Sequence, residues 1–361
     1  MSCCVPWRSG CLLLLHDGGL SPMISPTPLK FLMPGWFSVV MGLCGLSLAW
    51  HRAQRVFGDM ADGVALVVAA LAALVFVVLL VASVLRAQRY PAALSEDLRH
   101  PARHAFVAAF PVAVLLLAAV GVALFGPSLG WNLLWWLGAL TQLWATAWVM
   151  GRWLAPATPG QGPGNTGLWP GVTPALMIAV VGNVVVPLAG LPLGHTVWSA
   201  AQFGIGVFFW PIVLALVLVR RIAHSPLPDR FLPTWFIVLA APAVIGNVLA
   251  QWQAAPMLVV AMWGVSMFFL LWLMPIAKRV AAQPFGLTFW SLSFPLAALS
   301  SLTWRVGDLF PDAAGVQIAG VLSLAVTSMV ILWLGFATVR GLRDGTLLAL
   351  EPLANIQPVS G

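Results

Sequence analysis

The chain is a succession of long apolar runs, each separated from the next by a short connection that holds most of the charged residues. A helix needs about 20 apolar residues to cross the hydrocarbon core of a bilayer. Continuous runs favour helices over a membrane β-barrel, whose short strands alternate apolar and polar residues. The pattern predicts ten transmembrane helices, near residues 32–50, 61–85, 105–125, 131–153, 172–190, 197–220, 232–252, 257–277, 286–304 and 315–339.

Composition supports the same class of protein. Of the 361 residues, 61% are hydrophobic and only 7% are charged, whereas a soluble domain has about 25% charged residues. So few charges cannot cover the surface of a soluble protein of this size, and we expect an all-α polytopic membrane protein. The net charge of +7 does not indicate nucleic-acid binding, because the basic residues lie in the short connections.

The basic residues also predict the orientation. With ten spans both termini lie on one side, and 14 of the 17 Lys and Arg residues share that side. The other three are Arg52, Arg55 and Arg305. Positively charged connections stay in the cytoplasm. We therefore expect a multi-pass protein of the inner (plasma) membrane with both termini cytoplasmic.

Almost the whole chain forms one predicted domain, the membrane domain of residues 32–340. Residues 1–31 are predicted to be a disordered tail or the product of an over-extended start site, and residues 341–361 a cytoplasmic C-terminal tail. The four cysteines have no spacing typical of a disulfide framework or a zinc site. No cofactor and no metal site are predicted.

An internal repeat is visible in the odd-numbered spans. The third, fifth, seventh and ninth each contain a proline at a similar depth: Pro111, Pro187, Pro242 and Pro295. Prolines are generally more frequent in membrane helices than in soluble ones, but their recurrence at one depth favours a repeat. The expected architecture is five helical hairpins around a central pore, with the odd-numbered helices inside.

Several segments, spread from the first span to the ninth, carry a family resemblance. They are Pro34-Gly-Trp-Phe37, Leu98-Arg-His-Pro101, Val181-Gly-Asn-Val-Val-Val-Pro-Leu-Ala-Gly190, Phe203-Gly-Ile-Gly206, Leu232-Pro-Thr-Trp235, Ala241-Pro-Ala243 and Phe289-Trp-Ser-Leu-Ser-Phe-Pro-Leu-Ala-Ala298. Together they resemble the tellurite-resistance/dicarboxylate transporter family, which includes the plant slow-type anion channels and the yeast sulfite efflux pumps. The resemblance extends over about residues 30–340.

This resemblance implies a homotrimer in which each protomer has its own pore, blocked by a phenylalanine of the ninth helix. Phe294, beside Pro295, matches that position best, and Phe289 is the second candidate. The alternative for either side chain is ordinary core packing. Family members carry chloride, nitrate, sulfite, tellurite or C4-dicarboxylates such as malate, so the resemblance does not select one anion.

Polar residues in the odd-numbered spans are candidates for the pore lining. Helices broken at proline expose backbone N–H groups with partial positive charge, and the side chains of Asn183, Asn247, Ser291 and Ser293 can donate hydrogen bonds. The alternative for the two asparagines is to join neighbouring helices. Anions and the lipid bilayer are the expected partners.

The predicted spans hold almost no ionisable residue at depth, which favours a passive channel over proton coupling. A proton-coupled exporter of sulfite, tellurite or a dicarboxylate remains the alternative. An intramembrane enzyme is a remote alternative, because no span has a paired nucleophile and base. At one end of the ninth span, Arg305 and Asp308 are spaced to pair on one helix face. Both are interpreted as solvated anchors. The same interpretation is given to Arg52 and Arg55 on that side of the membrane, whose alternative role is to draw anions to the mouth of the pore.

Overall fold

The structure is a computed structural model that describes residues 28–100, 103–154, 169–223 and 227–348. All regular elements in these ranges are helical. Most of the predicted N-terminal tail, and the predicted C-terminal tail beyond residue 348, lie outside the described residues. The all-helical class predicted from the sequence is therefore confirmed for the described part of the chain.

The main helices follow one another with short connections. They are α1 (Phe37–Arg52), α2 (Asp59–Arg89), α3 (Ala109–Phe125), α4 (Leu129–Gly151), α5 (Leu176–Val185), α6 (Thr196–Ala223), α7 (Ala240–Gln251), α8 (Pro256–Ala281), α9 (Ser293–Leu309) and α10 (Ala314–Arg343). Short α-helices are formed by Gln54–Phe57, Pro91–Arg99 and Pro187–Gly190, and 3₁₀ stretches by Pro28–Phe31, Pro34–Trp36, His104–Ala108, Arg152–Leu154, Trp169–Gly171, Asp229–Leu239 and Leu287–Leu292.

Seven helical segments in the described ranges are long and apolar enough to cross a membrane. They are Asp59–Arg89, His104–Phe125, Leu129–Leu154, Thr196–Ala223, Asp229–Gln251, Pro256–Ala281 and Ala314–Arg343. The remaining three predicted spans correspond to shorter helical segments around α1, α5 and α9. Seven apolar segments of this length are consistent with a polytopic membrane protein.

The segments differ sharply in burial. In the most apolar part of Asp229–Gln251, 94% of the residues are buried, and in His104–Phe125 the share is 78%. The corresponding shares in Asp59–Arg89 and Pro256–Ala281 are 22% and 17%. Helices that are apolar on every side but buried on only one are suited to face lipid tails or another apolar surface.

The buried helices pack against one another in a closed ring. Helix α1 contacts α3 and α9, α3 contacts α5, and α7 contacts both α5 and α9. Each of these five helices also packs against the main helix that follows it in the chain, which lies outside the ring. The ring therefore has five inner members, and its centre lies between α1, α3, α5, α7 and α9.

Glycines in α1 let α1 and α9 approach each other closely. A Cβ atom on Gly42 would lie 2.5 Å from the Ser293 Cβ atom, and one on Gly45 would lie 2.9 Å from that of Ala297. Small residues at helix contacts allow this kind of approach, and van der Waals packing then stabilises the pair. The seam between α1 and α9 thus depends on two glycines three residues apart.

The sequence predicted helices broken at four prolines, but none of the four lies in the middle of a long α-helix. Pro111, Pro242 and Pro295 are each the third residue of an α-helix that continues a 3₁₀ stretch. The first turn of an α-helix has no intrahelical use for its N–H groups, so proline is tolerated there. Pro187 begins the short helix that follows the end of α5.

The α1–α9 seam generates a test with a matched control. Gly42→Ala should lower the apparent melting temperature of the purified protein in detergent. The added methyl collides with Ser293, and overpacking of this kind costs about 1–3 kcal/mol. Gly63→Ala is the control, because a Cβ atom on this residue of α2 meets nothing within 4 Å. Equal melting temperatures for the two variants would contradict the close approach.

Candidate functional site

Two cavities lie within the ring of inner helices. The large cavity has a volume of about 290 Å³ and the small cavity a volume of about 30 Å³. Residues that line the large cavity include Gly45, Ala119, Leu188, Asn247 and Arg305. Residues that line the small cavity include Met41, Val112, Ile178, Ala240 and Pro295.

The two cavities lie one after the other along the inner helices. In each of α1, α3, α7 and α9, residues nearer the N-terminal end line the small cavity and residues nearer the C-terminal end line the large one. In the fifth segment, α5 itself lines the small cavity, and Leu188 and Pro192 beyond it line the large one. The five segments thus surround both cavities in turn.

Phe294 is the one described residue that lines both cavities. Its side chain is buried, with only 5% of the residue surface exposed. The ring lies against Gly45 of α1, where a Cβ atom would come within 3.1 Å of the Phe294 Cδ2 atom. An aromatic ring therefore stands at the boundary between the two cavities, held against a position that has no side chain.

Phe289, the second predicted gate residue, lines neither cavity. Its ring centroid lies 5.4 Å from that of Phe285 and 5.8 Å from that of Trp333 in α10. It is buried in an aromatic cluster between the Leu287–Leu292 stretch and α10. Of the two phenylalanines singled out from the sequence, only Phe294 lines the cavities.

Asn247 lines the large cavity, but its amide is already engaged. Its Nδ2 atom donates to the carbonyl oxygens of Ala243 and Ala298, at 2.9 and 3.0 Å. Its Oδ1 atom accepts a hydrogen bond from the Ser301 hydroxyl at 3.0 Å. Asn247 therefore joins α7 to α9 and at the same time forms part of the cavity wall.

Asn183 lines neither cavity, and its hydrogen bonds are made within the protein instead. Its Nδ2 atom donates to the Thr146 hydroxyl of α4 at 2.8 Å and to the Ala179 carbonyl at 3.0 Å. Its Oδ1 atom accepts from the Gln202 amide of α6 at 3.1 Å. The sequence left open whether Asn183 lines a pore or joins helices, and its hydrogen bonds are those of a residue that joins helices.

The other predicted lining residues divide in the same way. Ser291 and Pro295 line the small cavity. Ser293 lines neither; it is fully buried at the α1–α9 seam, and its hydroxyl donates to the Trp290 carbonyl at 2.6 Å. Pro111, Pro187 and Pro242 also line neither cavity. Of the four prolines predicted to line the pore, only Pro295 contributes surface to a cavity.

Sequence reasoning undervalued the basic residues at the far end of the large cavity. Arg52 and Arg305 were interpreted as solvated anchors, yet both line this cavity, together with His51. The expected pairing of Arg305 with Asp308 is also replaced by an ion pair between Arg55 and Asp308, at 2.6 Å. Charge alone does not reveal which face of a helix a terminal arginine occupies, so the sequence could not place the side chains of Arg52 and Arg305 on one cavity.

Acidic groups are absent from the lining of both cavities among the described residues. Nor does the described part of the chain contain a group of three or more His, Cys, Asp or Glu residues placed to hold a metal ion. The chemistry that the two cavities offer is therefore that of apolar side chains, amides, hydroxyls, one imidazole and two guanidinium groups.

Comparison with known proteins identifies the group to which the chain is similar. The S-type anion channel SLAH2 of Arabidopsis thaliana is 25% identical over 69% of this chain and 46% of its own length. The tellurite resistance protein TehA homolog of Haemophilus influenzae is 25% identical over 74% of this chain and 79% of its own length. An uncharacterized transporter of Methanocaldococcus jannaschii is 25% identical over 78% of this chain and 85% of its own length.

The family pattern described as voltage-dependent anion channel matches residues 32–339, which include α1 to α9, most of α10 and both cavities. This match and the named relatives confirm the resemblance found in the sequence. The chain belongs to the voltage-dependent anion channel family, within the tellurite-resistance/dicarboxylate transporter group.

Proposed function

We propose that the protein is a passive, channel-like pathway for small anions, closed by the side chain of Phe294. The observation that carries the proposal is that Phe294 alone among the described residues lines both cavities. An apolar side chain at a narrow point excludes water and ions, which is how hydrophobic constrictions gate other channels. Rotation of this ring away from the axis would join the two cavities.

The pore that we propose runs along the axis of five helical hairpins, formed by ten transmembrane helices with the odd-numbered members inside. The closed ring of contacts among α1, α3, α5, α7 and α9 supports this arrangement. So does the contrast between the buried inner segments and the exposed outer ones. In this arrangement α1, α5 and α9 would cross the membrane together with the stretches that extend them.

Anions are the proposed cargo because the cavities combine arginines with an absence of acidic lining residues in the described chain. A cation pathway would be expected to have carboxylates around the pore. Chloride, nitrate, sulfite, tellurite and C4-dicarboxylates such as malate are the candidates. The relatives named as an anion channel and as a tellurite resistance protein support this range without selecting one member.

The proposed setting is the inner membrane, with both termini in the cytoplasm and the protein assembled as a homotrimer. The orientation is supported by the 14 basic residues predicted for one side against three for the other. The trimer is supported by the family resemblance alone. We propose transport as the activity of the protein and do not propose an enzymatic reaction.

The gate is tested by truncating the Phe294 side chain. Phe294→Ala should raise anion flux into liposomes by about tenfold, which corresponds to about 1.4 kcal/mol removed from the permeation barrier. The physical reason is that the truncated side chain leaves the two cavities in continuous contact. Nitrate and chloride uptake are measured on the purified, reconstituted protein at matched protein-to-lipid ratios.

Phe289→Ala is the matched control for the gate, because this phenylalanine is equally buried but lines neither cavity. Its flux should stay close to that of the wild type even if its stability falls. A gate at Phe294 is ruled out if Phe294→Ala liposomes take up anions no faster than wild-type ones. A rise with Phe289→Ala alone would move the gate to the aromatic cluster at α10.

A second prediction separates passive flow from proton coupling. Neither cavity is lined by an acidic residue in the described chain, and His51, the one histidine on the large cavity, bonds to Asp62 at 2.8 Å. Anion flux should therefore follow the anion gradient and the membrane potential and should persist without a pH gradient. Flux through Phe294→Ala liposomes is compared with and without a protonophore, with the potential clamped by potassium and valinomycin.

Proton-coupled export is the competing outcome of this experiment. In that case flux would stop when the proton gradient is collapsed at constant potential, and it would reverse direction with the gradient. Either behaviour would replace the passive mechanism with the exporter alternative.

A further inference from the structure

Two arginines that line the large cavity have no hydrogen-bond or ion-pair partner in the described part of the chain. Arg52 at the end of α1 and Arg305 in α9 both line it, and both are only partly exposed. Neither makes a hydrogen bond or an ion pair with another described residue, and the Arg305 Nε atom is buried without an acceptor. A buried N–H group of a guanidinium without an acceptor carries a desolvation cost.

The charges of the two arginines act on each other. Both guanidinium groups line the same cavity of about 290 Å³, so their like charges repel each other. Asp308 is exposed and forms its 2.6 Å ion pair with Arg55. The cavity is therefore lined by two cations, and the Asp308 carboxylate, three residues beyond Arg305 in α9, is already paired with a third.

The other polar groups on this cavity are committed elsewhere. The Ser301 hydroxyl donates to Asn247, and the Gln251 amide donates to the Leu188 carbonyl at 3.2 Å. His51 is held by Asp62. Arg52 and Arg305 are consequently the arginines on this cavity that have no acceptor among the described residues.

We propose that Arg52 and Arg305 form a binding site for a small oxyanion in the large cavity. One oxyanion between the two guanidinium groups would supply the missing acceptors and cancel their mutual repulsion. A guanidinium presents its N–H groups as a planar fork, which matches the paired oxygens of an oxyanion better than a spherical halide. The volume of about 290 Å³ accommodates such an anion with some of its water.

The site adds an anion-binding step to the proposed function, and its role in transport rests on that function. Phe294 and Arg305 are eleven residues apart on one helix, about 16 Å along its axis at 1.5 Å per residue. An anion held by the arginines therefore waits at the opposite end of the large cavity from the proposed gate. Binding itself does not require that Phe294 be the gate, so the two proposals fail separately.

Binding is tested first, without reference to flux. The apparent melting temperature of the purified protein in detergent is measured as nitrate replaces gluconate at constant ionic strength, because a ligand of the folded state stabilises it. Arg305→Gln and Arg52→Gln should each raise the half-saturating nitrate concentration by about tenfold, the effect of losing a charge-assisted hydrogen bond. Arg305→Lys keeps the charge, and it should bind nitrate with intermediate strength and lose the preference for nitrate over chloride.

Arg343→Gln is the control for charge, because Arg343 is an exposed arginine at the end of α10 that lines neither cavity. It should leave the half-saturating concentration within about twofold of the wild type. If Arg305→Gln does not fold, Arg52→Gln and Arg305→Lys still decide the result. The site is disproved if Arg52→Gln and the soluble Arg305 variants bind nitrate as the wild type does, with an unchanged preference over chloride.

Flux then distinguishes the site from the gate. In the Phe294→Ala background, Arg305→Gln should raise the nitrate concentration that gives half-maximal flux, whereas Arg343→Gln should not. If Phe294→Ala does not raise flux but nitrate binding still depends on Arg305, the oxyanion site stands and the gate falls. If flux rises but its half-maximal concentration is unaffected by Arg305→Gln, the gate stands and the role of the oxyanion site in transport falls.

Discussion

The close contact between α1 and α9 is the constraint on which the centre of this protein depends. Gly42 and Gly45 leave room for Ser293, Phe294 and Ala297, so α9 lies directly against α1. The same contact closes the ring, because α1 and α9 are its first and last members. Any side chain at Gly45 would compete for the space of the Phe294 ring, and the boundary between the two cavities would shift with it.

The position of the prolines avoids unpaired carbonyl groups within the inner helices. Prolines near the lipid core would leave carbonyl groups without donors if they interrupted a long α-helix. In α3, α7 and α9 the proline instead occupies the first turn, directly after a stretch of 3₁₀ helix. The chain there is buried among other helices, where changes of helix type are tolerated. In three segments the proline follows the same change from 3₁₀ to α-helix, and this explains why prolines recur at a similar depth in the sequence.

Sequence reasoning reached the class, the family and the single phenylalanine that lines both cavities, because length, apolar content and order of motifs carry those signals. It could not separate Asn183 from Asn247, which have the same Gly-Asn context in α5 and α7 but face different neighbours. It likewise placed Phe289 beside Phe294 as a candidate and missed the cavity position of Arg305. In helices that are apolar on nearly all sides, no periodic pattern indicates how each helix is rotated about its axis. That rotation is set by packing between segments far apart in the chain.

The small cavity has a consequence for hydration. Its volume of about 30 Å³ holds roughly one or two water molecules, and its walls are almost entirely hydrocarbon apart from the hydroxyls of Ser38 and Ser291. An ion at this level would leave most of its water shell behind and receive little in return. Along the proposed pore, ions that hold their water weakly would cross this cavity at less cost than small, strongly hydrated ones. The small cavity would then rank anions by the free energy of dehydration and not by charge.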